Sequence, residues 1–104
     1  MKVYWTLNAI KHLTNIYEYI SLNSPTYAMR TVDRITRRSE QIASQPYSGR
    51  KVPEYEAEDL RELIEKPYRI IYRVKQNQID VLAVIHLSLI HISEPTRLLR
   101  RSRM

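Results

Sequence analysis

Cysteine is absent from the chain, which excludes disulfides and thiolate metal sites and suits a reducing cytoplasm. Glycine occurs once, at Gly49, and no P-loop, glycine-rich dinucleotide motif or HExxH pair is present, so the common nucleotide and zinc chemistries lack their scaffolds. His12, His86 and His91 have no ligand spacing, and neither a metal nor a cofactor is expected. No apolar run approaches membrane-spanning length, and Met1–Trp5 does not begin a signal peptide. The expectation is a soluble cytoplasmic protein with no membrane partner. Phenylalanine is also missing. Eight tyrosines and one tryptophan supply the aromatic bulk, and a tyrosine hydroxyl wants a partner, which favours core edges and interfaces.

What is present fits one small domain. At 104 residues, with 43% apolar and 27% charged residues, the composition is globular, and the core it can bury is modest. The formal charge of +6 hints at an acidic partner, either nucleic acid or an acidic protein segment.

Periodicity organises the chain. Lys2 to Thr6 is short and β-rich and reads as a first strand. Leu7 or Asn8 then opens a helix with Asn8 as N-cap, and Ile10, Leu13, Ile16, Tyr17 and Ile20 recur along one face. The Leu22–Pro25 cluster breaks it, and Pro25 starts a second helix reaching about Ser44. Its buried side is expected to carry Ala28, Val32, Ile35, Ser39 and Ile42, with Arg30, Arg34, Arg37 and Arg38 on the remaining surface. Gln45 to Pro53 reads as a loop.

The period then changes to two. Leu60, Glu62 and Ile64 alternate with Arg61, Leu63 and Glu65, so one face of this strand is mixed. Lys66-Pro67 is a turn. Tyr68, Ile70, Tyr72 and Val74 form the aromatic-aliphatic face of the next strand, and Gln76–Gln78 is a hairpin turn. Ile79 to Ile85 is nearly all apolar and reads as a central strand covered on both sides. The fold class is therefore α+β. An N-terminal strand and an α-hairpin precede a three-stranded antiparallel meander, giving one curved sheet with the helices on one face.

The pattern fails after His86. Leu87 to Arg97 resembles the translation of a transposon-end adapter used in sequencing libraries, and residues 87–104 are expected to be a non-native tail behind a domain at 1–86. The tail holds four arginines and one glutamate. It carries +3 of the +6, which leaves +3 for residues 1–86, too little for bulk electrostatics alone to argue for nucleic acid.

Gly49-Arg50, Asp59–Leu63, Tyr68–Val74 and Val81–His86 occur in the order and spacing of RelE/ParE-family toxins, which this chain resembles over essentially all of residues 1–86. The resemblance implies the toxin of a type II toxin–antitoxin pair, held by a cognate acidic antitoxin in a hetero-oligomer. It admits two mechanisms: ParE-like members poison DNA gyrase, and RelE-like members cleave mRNA on the ribosome without a metal. The long α-hairpin and the wording of Leu60–Leu63 and Tyr68–Val74 look more like the ParE branch. An inactive remnant that only binds its antitoxin is a third reading.

Metal-free RNA cleavage needs a base, an acid and cations for the developing phosphorane charge. Arg69 and Arg73, four apart on one strand, share a face, and His86 ends the neighbouring strand. Glu54 and Arg61 complete the candidate set. Against it, arginines on an open sheet face are usually solvated or paired with carboxylates such as Glu62. A strand-end histidine is more often structural. The stretch holding Glu54, Glu56, Glu58 and Asp59 would also repel phosphate. For an antitoxin, the candidates are the Arg30/Arg34/Arg37/Arg38 stripe and the tyrosines Tyr17, Tyr27, Tyr47, Tyr55 and Tyr68. The plainer account of the stripe is a solvated helix face.

Overall fold

A computed structural model describes residues 1–88, so the tail reading, apart from Leu87 and Ser88, lies outside the described residues. Strand β1 spans Lys2–Trp5, and helix α1 follows at Leu7–Ser21. Thr6 caps this helix: its backbone is extended and its hydroxyl accepts from the Ala9 N–H at 3.2 Å. Asn8, expected as the cap, sits inside the first turn and donates its side-chain amide to the Leu82 carbonyl at 3.1 Å. The small Ala9 is the fully buried residue of α1, with Leu13 and Ile16 packed beside it, while Ile10 is 46% exposed. The apolar stripe thus centres one residue earlier than spacing alone suggests, because an alanine lets the helix backbone approach β5.

Helix α2, Pro25–Glu40, starts at Ser24, whose hydroxyl accepts from the Tyr27 N–H at 3.1 Å, with Pro25 in the first turn. It stops short of Ser44 and continues as a 3₁₀ turn, Gln41–Ala43. Ala28, Ile35, Ser39 and Ile42 are buried as expected. Thr31 is buried where Val32 was expected, its hydroxyl donating to the Tyr27 carbonyl at 2.9 Å, and Val32 is half-buried.

The remaining strands are β2 (Arg50–Lys51), β3 (Leu60–Glu65), β4 (Tyr68–Val74) and β5 (Gln78–His86). They form one sheet in the order β1-β5-β4-β3-β2, with the antiparallel β3–β4–β5 meander at its centre. Two features depart from the sequence reading. β1 joins β5 in parallel, Val3 opposite Ile79: the chain leaves β1 through the α-hairpin, enters the sheet at its far edge as β2 and returns strand by strand to β5. The Gln45–Pro53 loop contains β2, paired with β3 but only two residues long, too short for alternation to reveal.

β5 is flanked on both edges, yet the helices cover one face only. Ile79, Val81 and Val84 point into the core, and Asp80 lies on the opposite side, across from Arg73. Its unbroken apolar run has another origin. Ile71 pairs with Ala83 and Tyr72 with Val81, so Leu82 is an extra residue in a β-bulge and alternation slips there. The core of Ala9, Ile35, Ile42, Ile70, Tyr72, Ile79 and Val81 fills the space between hairpin and sheet.

Candidate functional site

Successive strand residues point to opposite faces, and directly opposed residues share one. Because Ile70 and Tyr72 face the helices, Arg69, Ile71 and Arg73 face away from them. Glu62 opposite Ile71, and Arg50 opposite Glu62, join them on this open face. Arg69 and Arg73 are brought together, as their spacing requires. His86 is not. It pairs with Tyr68, a core residue on the helix side, and the two rings meet edge-on with centroids 5.4 Å apart. Its Nδ1 accepts from the Ser88 N–H at 3.1 Å. The Arg69/Arg73/His86 cluster is therefore divided by the sheet.

The open face is organised by Glu62, whose side chain is fully buried. Nε of Arg69 donates to one of its oxygens and Nε of Arg50 to the other. Arg69, with a side chain 5% exposed, turns its outer edge to Glu54, Nη1 reaching Oε2 at 3.0 Å and Nη2 reaching Oε1 at 2.6 Å. Glu54, Arg69, Glu62 and Arg50 thus alternate in sign along one chain of contacts. Burying such charges is tolerable only because each finds oriented partners. The hydrogen bond from Arg69 holds the Glu54 carboxyl below its ordinary range, against the effect of partial burial. Burial works against the charge of Arg69, but the hydrogen bonds it donates to Glu54 and Glu62 outweigh that and raise its pKa. Arg73 faces Asp59 at 3.6 Å.

Arg61 points elsewhere. Its Nε donates to the Glu58 carbonyl at 2.8 Å and Nη1 to the Gly49 carbonyl at 3.1 Å, while the guanidinium lies over the Tyr47 ring. It clamps the loop before β2. Tyr72 does the same from the core: its hydroxyl donates to the Pro46 carbonyl at 2.8 Å and accepts from the Gly49 N–H at 3.1 Å. Burial pushes that hydroxyl's pKa up. A Cβ on Gly49 would collide with the Tyr72 oxygen and lie 2.6 Å from the Glu62 carbonyl, so only glycine fits.

The arginine stripe of α2 also divides. Arg34 lies 2.9 Å from Glu65 through Nε, with the N–H not aimed at the carboxylate, and donates to the Lys66 carbonyl at 3.0 Å. Arg38 reaches the same Glu65 at 3.5 Å. Both fasten α2 to the end of β3. Arg37 pairs with Asp33 one turn back, and Arg30 has no ion pair among the described residues. Tyr17 is half-buried in a cleft with Leu13, Thr14 and Val32, and Tyr27 is about half exposed.

Sequence reasoning named Glu62 only as a pairing partner and missed Arg50 and the Gly49–Tyr72 lock. The signal for Glu62 was its place between Leu60 and Ile64 on one face, since a carboxylate there must be either solvated or paired. Among the described residues no His, Asp and Glu groups converge as a metal site, and no helix is long and apolar enough to cross a membrane.

The family model for the ParE toxin of type II toxin–antitoxin systems, parDE, matches residues 3–88. The Y4kP protein of Sinorhizobium fredii is 34% identical over 87 residues, covering 82% of this chain and 86% of its own. Toxin RelE2 of Caulobacter vibrioides is 33% identical over 86 residues, covering 82% and 93% respectively. A chain of the chromosomal ParDE toxin–antitoxin system from P. aeruginosa superimposes with a TM-score of 0.69 at 28% identity, over 83% of this chain and 95% of that one. With the family model running through nearly every described residue, and a relative 34% identical over 82% of this chain, the chain belongs to the RelE/ParE family of type II toxins.

Proposed function

We propose that this toxin acts by inhibiting DNA gyrase and is neutralised by a cognate acidic antitoxin. The observation that carries the reading is the state of the groups a ribonuclease would need. Arg69 already makes three charge-assisted contacts with Glu54 and Glu62, Arg61 holds backbone carbonyls, and His86 lies across the sheet. A metal-free phosphoryl transfer needs its base, acid and cations around one phosphate. Here they are separated or engaged with one another.

The likeness to a protein named as a RelE toxin supports ribosome-dependent mRNA cleavage as the second reading. The antitoxin reading draws on the solved relative, itself from a toxin–antitoxin system. Arg30, Arg37 and Tyr27 offer an exposed basic and aromatic surface for an acidic segment that folds on binding. Both targets lie in the cytoplasm.

Two assays separate the mechanisms: gyrase supercoiling, and a translating extract read by primer extension. Loss of supercoiling with intact mRNA is the expected result. Cleavage at ribosomal A-site codons with normal supercoiling would replace the gyrase reading with the nuclease.

A further inference from the structure

β5 is longer than the strand beside it, and helix α1 makes up the difference. β1 accompanies β5 only from Gln78 to Val81, while β5 runs on to His86. A strand edge without a neighbour leaves backbone groups in need of partners. Here the start of α1 supplies them from its side chains. The Thr6 hydroxyl donates to the Val81 carbonyl at 2.9 Å, and the Asn8 amide donates to the Leu82 carbonyl at 3.1 Å. The N–H of the buried Val84 donates to Nδ1 of His12 at 3.1 Å. Threonine and asparagine keep such bonds at any pH. Histidine does not: a neutral imidazole has one ring nitrogen to accept with, and an imidazolium has none.

We infer that His12 is a pH latch, which fastens α1 to the outer edge of β5 when neutral and releases it when protonated. Water reaches the ring, because His12 lines a hollow of about 230 Å³ with Asn15, Ile16, Tyr68, Val84 and His86. No Asp or Glu lines this hollow or the adjoining one that holds Tyr19, so an imidazolium finds no counter-charge there. The groups it meets are neutral or positive. Lys11 adjoins it on α1, Tyr68 of β4 and His86 of β5 share the hollow, and Arg34 of α2 lies within electrostatic reach of the Tyr68 hydroxyl. A second imidazolium at His86 adds a like charge across the same space. Protonation of His12 therefore leaves a buried N–H without its acceptor and gains no partner in exchange. The Thr6 and Asn8 bonds stay, so the part of α1 that loosens runs from His12 towards Ser21. The inference concerns how the fold is held and rests on neither the gyrase nor the antitoxin reading.

The test is amide exchange on the isotope-labelled wild type, read residue by residue by NMR at about pH 7.5 and about pH 5, which spans the charge change of an imidazole. Protection of the Val84 amide, corrected for the intrinsic pH dependence of exchange, is expected to fall about tenfold in acid, as suits a buried N–H that loses its acceptor. The Ile70 amide in the core is expected to keep its protection. His12→Asn retains an acceptor oxygen near the place of Nδ1 and does not titrate, so its Val84 amide is expected to stay protected at both pH values. His86→Asn is expected to behave as the wild type, because the acceptor belongs to His12. Unchanged wild-type protection at the lower pH would overturn the proposal. So would the same acid loss in His12→Asn, or the disappearance of that loss in His86→Asn. Should His12→Asn fail to fold, the wild type decides alone: the Val84 amide shift and the His12 ring shift are expected to move with one midpoint, and separate midpoints would remove the latch.

Discussion

On the helix side of the sheet, Ile70, Tyr72, Ile79 and Val81 are fully buried among Ala9, Ile35 and Ile42, while on the other side Glu62 and Arg69 are almost as buried among charges. The first burial is driven by apolar area and is indifferent to which neighbour supplies it. The second depends on particular atoms: remove one partner and the other is left charged in a place water does not reach. Equal burial therefore conceals unequal tolerance. The helix face should accept volume-conserving exchange and ignore salt, and the open face should do neither.

The largest expected effect tests this directly. Glu62→Ala removes the partner shared by Arg69 and Arg50 and is expected to destabilise by about 4 kcal/mol. Ile70→Ala leaves a cavity in the core and is expected to cost about 3 kcal/mol. Urea titrations at low and high salt distinguish the two losses, since only that of Glu62→Ala should vary with ionic strength. Equal salt response in both variants would break the comparison between the faces.

The same contrast explains what could be read from the chain. The α-hairpin and the meander were legible because apolar period is a property of residue type, and four of the five expected core positions of α2 are buried. Ala9 was not legible, because an alanine gives little hydrophobic signal although its size sets how closely α1 approaches β5. The bulge at Leu82 hides the alternation of β5, and β2 is too short to have one. The open face was legible only in its inventory. Spacing put Arg69 and Arg73 on one face, but whether an arginine meets a carboxylate, a carbonyl or solvent depends on the long reach of its side chain. His86 went to the other side through a pairing register that β4 and β5 fix jointly.

A smaller effect is expected where the two faces meet. Tyr72 reaches through the core to hold Pro46 and Gly49, so Tyr72→Phe keeps the apolar packing and removes only the hydroxyl. Leaving a buried N–H and carbonyl without their partner should cost about 1.5 kcal/mol. Thermal melting checks this, and faster amide exchange at Gly49 with an unchanged Ile70 amide would localise the loss to the loop.

The smallest effect comes from the Glu54–Arg69 contact at the rim of the open face, and its pH dependence gives it a sign. The Glu54 carboxyl is held below its unfolded value of 4.5 mainly by the Arg69 hydrogen bond, so its contribution is complete above that value and disappears as pH falls through the folded pKa. Glu54→Gln should therefore be less stable than the wild type at neutral pH, by no more than about 1 kcal/mol because the side chain is nearly half exposed and screened. The two stability curves should converge in acid. Glu58 and Asp80 are also held low, by hydrogen bonds from Lys51 and from Lys75 respectively, but both remain in the variant and cancel in the difference. Only the Glu54–Arg69 contact is left in that difference curve. A gap that persists below the titration of Glu54 would mean that the side chain's shape, not its charge, holds it against Arg69, and the open face would then resemble the helix face after all.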